Sequence, residues 1–434
     1  MTFLINFAAI IAVTQGGETL TIEQAVDIAT KNAFAVRQQA SAVEKNRQRV
    51  KESEGGLGPR VTISGTYTRF EEAQTAEIAP GQSIITQPID TKQAVASLNF
   101  PIDISGNIGR IVRASKATLL ASQQTLEATR NDVKLAVRRS YLAVLRAEEQ
   151  IEVSKLAVQE AEERLKNAKI EQEAGTKAKI DVIRIEAQLA QAQFDLISAT
   201  NQQTLAKQSL NNSLGRPIET DFTTSKVMSL PATPTADVAD IDKAAQASRP
   251  EAKALTKTQE ALAFIRRATE RGTNPSMNLA INHQRNIDAQ GFTAQEQTTT
   301  GAVTLNFPIF DSGVTRAQVK QARQDEEQVK IQLEQVRLGI SLEVRQAITN
   351  MINSAARLTV AQRQLAAAEE NYRISKVRLA AGEGITLEIT DALTQLTQAR
   401  IAVVSARYDY WTAYSELQRA VGTDDLQQIL GGRN

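Results

Sequence analysis

Cysteine is absent from this sequence of 434 residues, and histidine occurs once, at His283. The absence of cysteine excludes disulfides, thiolate metal sites, a cysteine nucleophile and a lipidated N-terminal cysteine. A single histidine leaves any histidine-based catalysis to one residue. Aromatic residues make up only 4 % of the chain. What dominates instead is Ala, Gln, Glu, Arg, Leu and Val, a composition typical of long helices.

Net charge is also nearly absent, because 50 Lys and Arg residues offset 49 Asp and Glu residues. The chain therefore has no overall field to attract nucleic acid, and no nucleic-acid partner is predicted. The sequence shows no phosphate-binding loop, nucleophile triad or metal-ligand cluster. We therefore predict a protein that is not an enzyme and that needs no cofactor and no metal.

Long hydrophobic runs are missing as well. The apolar stretch of residues 3–13 is too short to cross a bilayer as a helix. It resembles the apolar core of a secretory signal, although no Lys or Arg precedes it. Residues 1–18 are therefore predicted to be a signal remnant or an N-terminal segment.

The chain is written twice. LNFPIDISG at residues 98–106 returns as LNFPIFDSG at residues 305–313, an offset of 207. The same offset relates two further pairs of glycines, Gly175 with Gly382 and Gly215 with Gly422. Three anchors that share one offset indicate an internal duplication. The predicted segments are a first repeat at 19–216, a linker at 217–240, a second repeat at 241–423 and a C-terminal tail at 424–434.

Each repeat is predicted to run helix, strand, loop, strand, very long helix, tight turn and long helix. The strands are predicted at about 60–70, 93–100, 276–283 and 301–307, with a polar loop between the first two. The segments 107–172 and 314–379 contain no helix breaker, and each would be about 100 Å long. Apolar residues recur in them every seven positions, which is the coiled-coil period.

The strands alternate apolar residues with Ser, Thr, Asn and Gly. This pattern suits a wall with lipid on one side and water on the other, and it predicts a lipid-facing set of Leu98, Phe100, Leu305 and Phe307. Four strands cannot close a barrel within one chain. Several chains that pool their strands could close one, and their helices would continue the wall as a tube. A soluble β-sandwich half, or a soluble or surface-attached coiled-coil rod acting as a scaffold or adhesin, stays open as an alternative.

The paired LNFPI-x-x-SG segments, the paired glycine turns and the paired LG and VG helix ends resemble the TolC-type outer-membrane efflux protein family over residues 19–423. The resemblance implies a mainly α fold with a small β part. It also implies a homotrimer whose twelve pooled strands form an outer-membrane barrel, continued by a coiled-coil helical tunnel through the periplasm.

The function that the resemblance implies is a passive exit duct in a tripartite efflux or type I secretion system. The implied location is the outer membrane of a Gram-negative-type bacterium, with an extension into the periplasm. The implied partners are outer-membrane lipid, a periplasmic adaptor (membrane fusion) protein and an inner-membrane pump of the RND, ABC or MFS type.

The two glycine turns, predicted at about 174–181 and 381–388, would be the periplasmic tips. The resemblance implies that an adaptor docks on them, and the tip residues concerned are Gly175, Thr176, Lys177, Gly382, Glu383 and Gly384. Glycine at a helix end permits left-handed backbone, so ordinary hairpin turns are the alternative interpretation.

Glu388 and Asp391 follow the second tip and share a helix face at i, i+3 spacing. The resemblance implies that they ring the closed tunnel entrance, with Asp181 at the matching position of the first repeat. The alternative is that acids in a first helical turn simply favour the positive end of the helix dipole. Some family members carry a basic residue just before these acids, where this chain has Gly384. Lys177, Lys179 and Arg184 are the candidate replacements for it.

Overall fold

The computed structural model describes residues 18–226, 229–231, 237–287, 295–424 and 426. The predicted signal remnant and nearly all of the predicted C-terminal tail therefore lie outside the described residues. Across the described part of the chain, no helix has an apolar segment of the length and hydropathy needed to cross a bilayer.

The chain divides into two compact units. The first unit comprises Met1–Gln38, Glu127–Arg249 and Leu338–Asn434, and the second comprises Gln39–Leu126 and Pro250–Arg337. Most of the chain is helical, as the composition predicted. The elements in chain order are β1 (Glu18–Leu20), α1 (Ile22–Asn32), α2 (Phe34–Gly55), β2 (Arg60–Arg69), β3 (Gln74–Ala79), β4 (Gln82–Gln87), β5 (Asp90–Ile102), α3 (Asn107–Glu173), α4 (Lys179–Leu214), β6 (Phe222–Thr224), α5 (Val238–Ser248), α6 (Pro250–Thr269), β7 (Ser276–Ile287), β8 (Gln297–Asn306), α7 (Val314–Ala380) and α8 (Thr386–Val421).

The first helix begins with a capping box. The Gln24 amide donates to the Thr21 hydroxyl at 3.2 Å, and the Thr21 amide donates to Gln24 Oε1 at 2.9 Å. The single helix predicted to open the first repeat is observed as two, because α1 ends before Ala33, whose ψ of 136° is extended, and α2 begins at Phe34. The end of α4 packs against this break. A Cβ on Gly215 would lie 2.5 Å from the Asn32 carbonyl oxygen, so only glycine fits there.

The four long strands form one antiparallel sheet with the order β2-β5-β7-β8. Residues that face each other across an antiparallel pair lie on the same side of the sheet. The register pairs Leu98 with Val61 and Ile281, and Phe100 with Leu279. One face is therefore apolar. The other carries Ser, Thr, Asn and Gln, as in the pair of Ser97 with Thr62 and Asn282.

The polar loop expected between β2 and β5 is a further correction. It contains a separate hairpin of β3 and β4, paired antiparallel with two register shifts. The segment between the hairpin strands carries Gly81 at φ 82°, a turn conformation that favours glycine. The run of polar residues predicted a surface position, but it did not distinguish a loop from an exposed hairpin.

The long helices α3 and α7 each have 67 residues. In the first unit, Val137, Val144, Val344 and Met351 of the seven-residue pattern are fully buried. Leu165 and Ala168 of α3 pack against Val182 and Ile185 of α4.

Helix α8 contacts each of the other three long helices, and Gln188 of α4 donates to its Thr390 carbonyl at 3.4 Å. It packs on α7 through Leu396 and Ala399, and it is tied to α3 by ion pairs such as Glu160–Arg400 at 3.4 Å. Helices α4 and α7 thus flank the α3–α8 pair.

Candidate functional site

The first tip lies between α3 and α4. Gly175 has φ 77°, and the following Thr176 amide donates back to the Glu171 carbonyl at 2.9 Å, which closes the turn. Lys177 Nζ lies 2.7 Å from Glu171 Oε2, and only 13 % of the lysine side chain is exposed. Lys177 is therefore paired within its own turn.

The second tip has the same backbone path with different charges. Gly382 has φ 76°, and the amides of Glu383 and Gly384 both donate to the Arg378 carbonyl at 3.0 Å. A Cβ on Gly384 would lie 3.0 Å from the Leu379 nitrogen. A side chain at position 384 would therefore collide with the end of α7, which gives a steric reason for glycine there.

The cation beside the second tip comes from Arg378, which the sequence analysis did not propose. Its Nη1 lies 3.4 Å from Glu388 Oε2, and its Nη2 donates to the Glu383 carbonyl at 3.3 Å. Basic residues favour the last turn of a helix, and this general signal could have pointed to Arg378. The turn then brings its guanidinium back to Glu388.

The three candidate replacements for the missing cation lie elsewhere. Lys177 pairs with Glu171, and Arg184 lies 3.9 Å from Asp181 within α4. Lys179 forms no ion pair with any described residue. Among the described residues, Asp391 has no ion-pair partner either, and it is exposed.

A half-buried arginine joins the two hairpins beside the tip acids. Arg164 of α3 donates from Nη1 to Gln188 Oε1 of α4 at 2.8 Å and from Nη2 to the Thr390 hydroxyl of α8 at 2.9 Å. Partial burial lowers the pKa of Arg164. Arginine is effectively always protonated in proteins, so the guanidinium carries its charge here. The residue that corresponds to it at an offset of 207 is Asn371. Within the described part of the chain, its side chain hydrogen-bonds to Gln395 of its own hairpin at 3.4 Å and not across to the other hairpin.

Three of the four predicted lipid-facing residues lie on the apolar face of the sheet. Leu98, Phe100 and Leu305 pair with Ile281, Leu279 and Met277 respectively. The Leu305 side chain is 61 % exposed in the single chain, and Phe307 follows directly after β8 with 57 % exposure. An exposed apolar face that is shared by several strands is typical of a surface that lipid or another protein covers.

The described residues contain no group of three or more His, Asp or Glu side chains arranged to hold a metal ion. The two candidate functional regions among the described residues are the amphipathic sheet and the pair of charged helical tips. A sheet with one apolar and one polar face suits a wall between lipid and water.

Comparison with known proteins identifies the class further. The model of the outer membrane efflux protein family matches residues 25–216 and 241–423. The chain is 21 % identical to the cobalt-zinc-cadmium resistance protein CzcC of Cupriavidus metallidurans, over 93 % of this chain and 90 % of CzcC. It is 22 % identical to the alkaline protease secretion protein AprF of Pseudomonas aeruginosa, over 88 % of this chain and 80 % of AprF.

Among solved structures, the CmeC outer membrane channel of Campylobacter jejuni superimposes with a TM-score of 0.79 at 18 % identity, over 99 % of this chain and 96 % of that one. The chain belongs to the outer membrane efflux protein family. It has the fold of TolC-type channels, its location is the outer membrane with an extension into the periplasm, and its function is that of an exit duct for efflux or secretion. The predicted fold class, location and function are confirmed, and the coiled-coil rod is not supported.

Proposed function

We propose that three copies of this chain form one passive exit duct, on which a periplasmic adaptor and an inner-membrane pump of the RND, ABC or MFS type assemble. The observation that carries the proposal is the amphipathic four-stranded sheet. Its strands have 10 to 13 residues, which matches the 9–11 or so that a tilted membrane strand needs. Within the described part of the chain, its outer strands β2 and β8 each have one edge without a partner strand. Three sheets joined edge to edge give a closed wall, apolar outside and polar inside.

The helices favour the same assembly. Helix α4 exposes an apolar stripe that includes Ile183, Phe194 and Ile197, and α7 exposes another that includes Leu338 and Leu342. Because α4 and α7 flank the α3–α8 pair, α4 of one copy is free to pack on α7 of the next. A head-to-tail contact of this kind, repeated around an axis, closes a ring.

We assign the entrance of the duct to the two tips. In a trimer, Glu388 and Asp391 supply six carboxylates, with Asp181 nearby on the other hairpin. Such a ring concentrates cations and repels itself, so it both selects and favours opening. Arg378 offsets part of this repulsion through Glu388. The exposed backbone of Gly175–Lys177 and Gly382–Gly384 is where we place the adaptor.

The named relatives differ in cargo. One is a cobalt-zinc-cadmium resistance protein and another is a protease secretion protein. We infer that the pump and the adaptor, rather than the duct, determine what passes through it.

The test is single-channel current from detergent-extracted protein in a planar bilayer, with the oligomer mass measured on the same sample. We expect a trimer with discrete, cation-preferring conductance. A trimer that inserts but stays silent should conduct once Arg378→Ala removes the charge that offsets the repulsion within the ring. A soluble protein with no conductance in either form would refute the proposal.

A further inference from the structure

Two arginines from different repeats converge on one backbone carbonyl. Arg271 donates from Nη1 to the Ser105 oxygen at 2.9 Å, and Arg110 donates from Nη1 to the same oxygen at 3.2 Å. Arg110 also donates to the Gly106 carbonyl at 2.6 Å. Because both Nη1 atoms contact one oxygen, they lie within about 6 Å of each other.

No described carboxylate lies within ion-pair distance of either guanidinium. The nearby Asp103 accepts instead from the amides of Ile108 at 3.1 Å and Gly109 at 2.8 Å. Glu270, which precedes Arg271, is paired with Arg266 at 2.7 Å and Arg323 at 3.6 Å. Two positive charges are therefore held together with only carbonyl oxygens to offset their repulsion.

The turn is shaped to accept this pair. Gly106 has φ 66°, and a Cβ there would lie 2.8 Å from Arg110 Nη1, so glycine lets the guanidinium lie across the turn. The second repeat has the same turn at Gly313, where a Cβ would meet nothing within 4 Å. Ala317 takes the place of Arg110 there, at the offset of 207. The cationic pair therefore occurs at only one of the two equivalent turns.

The two arginines lie at the end of the sheet where β5 leads into α3. Ser105 follows the end of β5, Arg271 precedes the start of β7, and the register pairs Ile102 with Met277 at this end. At the same end of the sheet, the segment after β8 exposes two apolar residues, Ile309 at 88 % and Phe310 at 84 %. Exposed apolar groups next to uncompensated cations are the chemistry that suits a membrane–water interface.

We propose that Arg110 and Arg271 together bind the phosphate of an anionic phospholipid in the periplasmic leaflet of the outer membrane, once per chain. Guanidinium groups donate paired hydrogen bonds to phosphate, and a bound phosphate would neutralise the repulsion between them. This inference rests on the proposed trimeric barrel, because the barrel brings this end of the sheet to the membrane surface.

The test is native mass spectrometry of the detergent-purified trimer titrated with phosphatidylglycerol. We expect up to three retained lipids, and affinity about tenfold or more weaker in the Arg110→Gln/Arg271→Gln double variant. The matched control is Arg316→Gln/Lys320→Gln, which removes the same charge from the first turns of α7. The control should bind within about twofold of the wild type. Equal loss in both double variants would reduce the effect to general charge attraction and overturn the site.

Two further outcomes would also overturn the proposal. Inorganic phosphate that displaces the lipid at equal concentration would show a free-phosphate site. Unchanged lipid binding with altered ion selectivity in the Arg110→Gln/Arg271→Gln variant would place the arginines in the lumen. If the wild type forms a conducting trimer but binds lipid no better than this variant, the lipid site alone is refuted. If no trimer forms, the proposed function itself is refuted. Circular dichroism and oligomer mass of each variant control for folding.

Discussion

The contact between Arg164 and Thr390 should hold the two hairpins of one chain together beside the entrance. Thr390→Val keeps the shape of the side chain but removes the oxygen that accepts from Arg164 Nη2 at 2.9 Å. A hydrogen bond to a charged group contributes about 1.5–3 kcal/mol. Both residues are partly exposed, so water replaces some of what is lost, and about 1–2 kcal/mol is the expected net change. That energy corresponds to a shift of about 5- to 30-fold towards the open entrance.

Single-channel recording measures this shift as open probability. Thr394→Val is the matched control. The Thr390 hydroxyl donates to the Thr386 carbonyl at 2.8 Å, and the Thr394 hydroxyl donates in the same way to the Thr390 carbonyl at 3.0 Å. Among the described residues, Thr394 has no arginine partner. Arg164→Lys should give an intermediate effect, because a lysine has one charged nitrogen with which to reach Gln188 and Thr390. Intact trimers of Thr390→Val that open no more often than Thr394→Val would show that this contact does not restrain the entrance.

Other perturbations address the ring, the sheet and the first unit. Glu388→Gln with Asp391→Asn should lower the cation-to-anion permeability ratio measured as a reversal potential in a salt gradient, and an unchanged ratio would exclude the carboxylate ring. Leu98→Arg should impair membrane assembly, because an Arg that faces lipid costs about 2–4 kcal/mol at the bilayer midplane. Asn99→Arg on the polar face should leave heat-resistant trimers on gels, and equal behaviour of the two variants would contradict the assignment of the faces. Burial raises the pKa of Tyr141 to about 12 from an ordinary value near 10, so its protonated form stabilises the fold below pH 10 and this contribution of roughly 3 kcal/mol is lost between pH 10 and 12. Tyr141→Phe should flatten that part of the unfolding curve followed by circular dichroism, and an identical pH profile would contradict the reasoning.

Long-range periodicity made much of the fold predictable. The helix expected at residues 107–172 is observed as Asn107–Glu173, since seven-residue spacing without a breaker fixes both the element and its buried side. The break at Ala33 was not predictable in the same way. It lies opposite Gly215, nearly two hundred residues away, and local helix propensity carries no record of that contact.

The site was predictable only in outline. Glycine turns and acid spacing located the tips, because backbone conformation and helix periodicity are local properties. Arg378 was missed because it pairs with Glu388 only once the turn folds back onto the last turn of α7, and the sequence does not show that path. The hydrogen bond from Arg164 to Thr390 requires α3 and α8 to be neighbours, and the sequence of neither helix shows that they are.

The two repeats nevertheless locate the functional asymmetry when they are compared with each other. Where the fold alone is at stake, equivalent positions keep their character: Lys116 pairs with Glu54 and, in the second repeat, Arg323 pairs with Glu270. At the tips, by contrast, the last-turn acid Glu171 is replaced by the cation Arg378 at the offset of 207. The cross-hairpin contact and the cationic turn follow the same rule, since each occurs in one repeat and is missing from the other. Glu171 against Arg378 and Arg110 against Ala317 are two such differences in charge, and they lie at the sites proposed for gating and lipid binding.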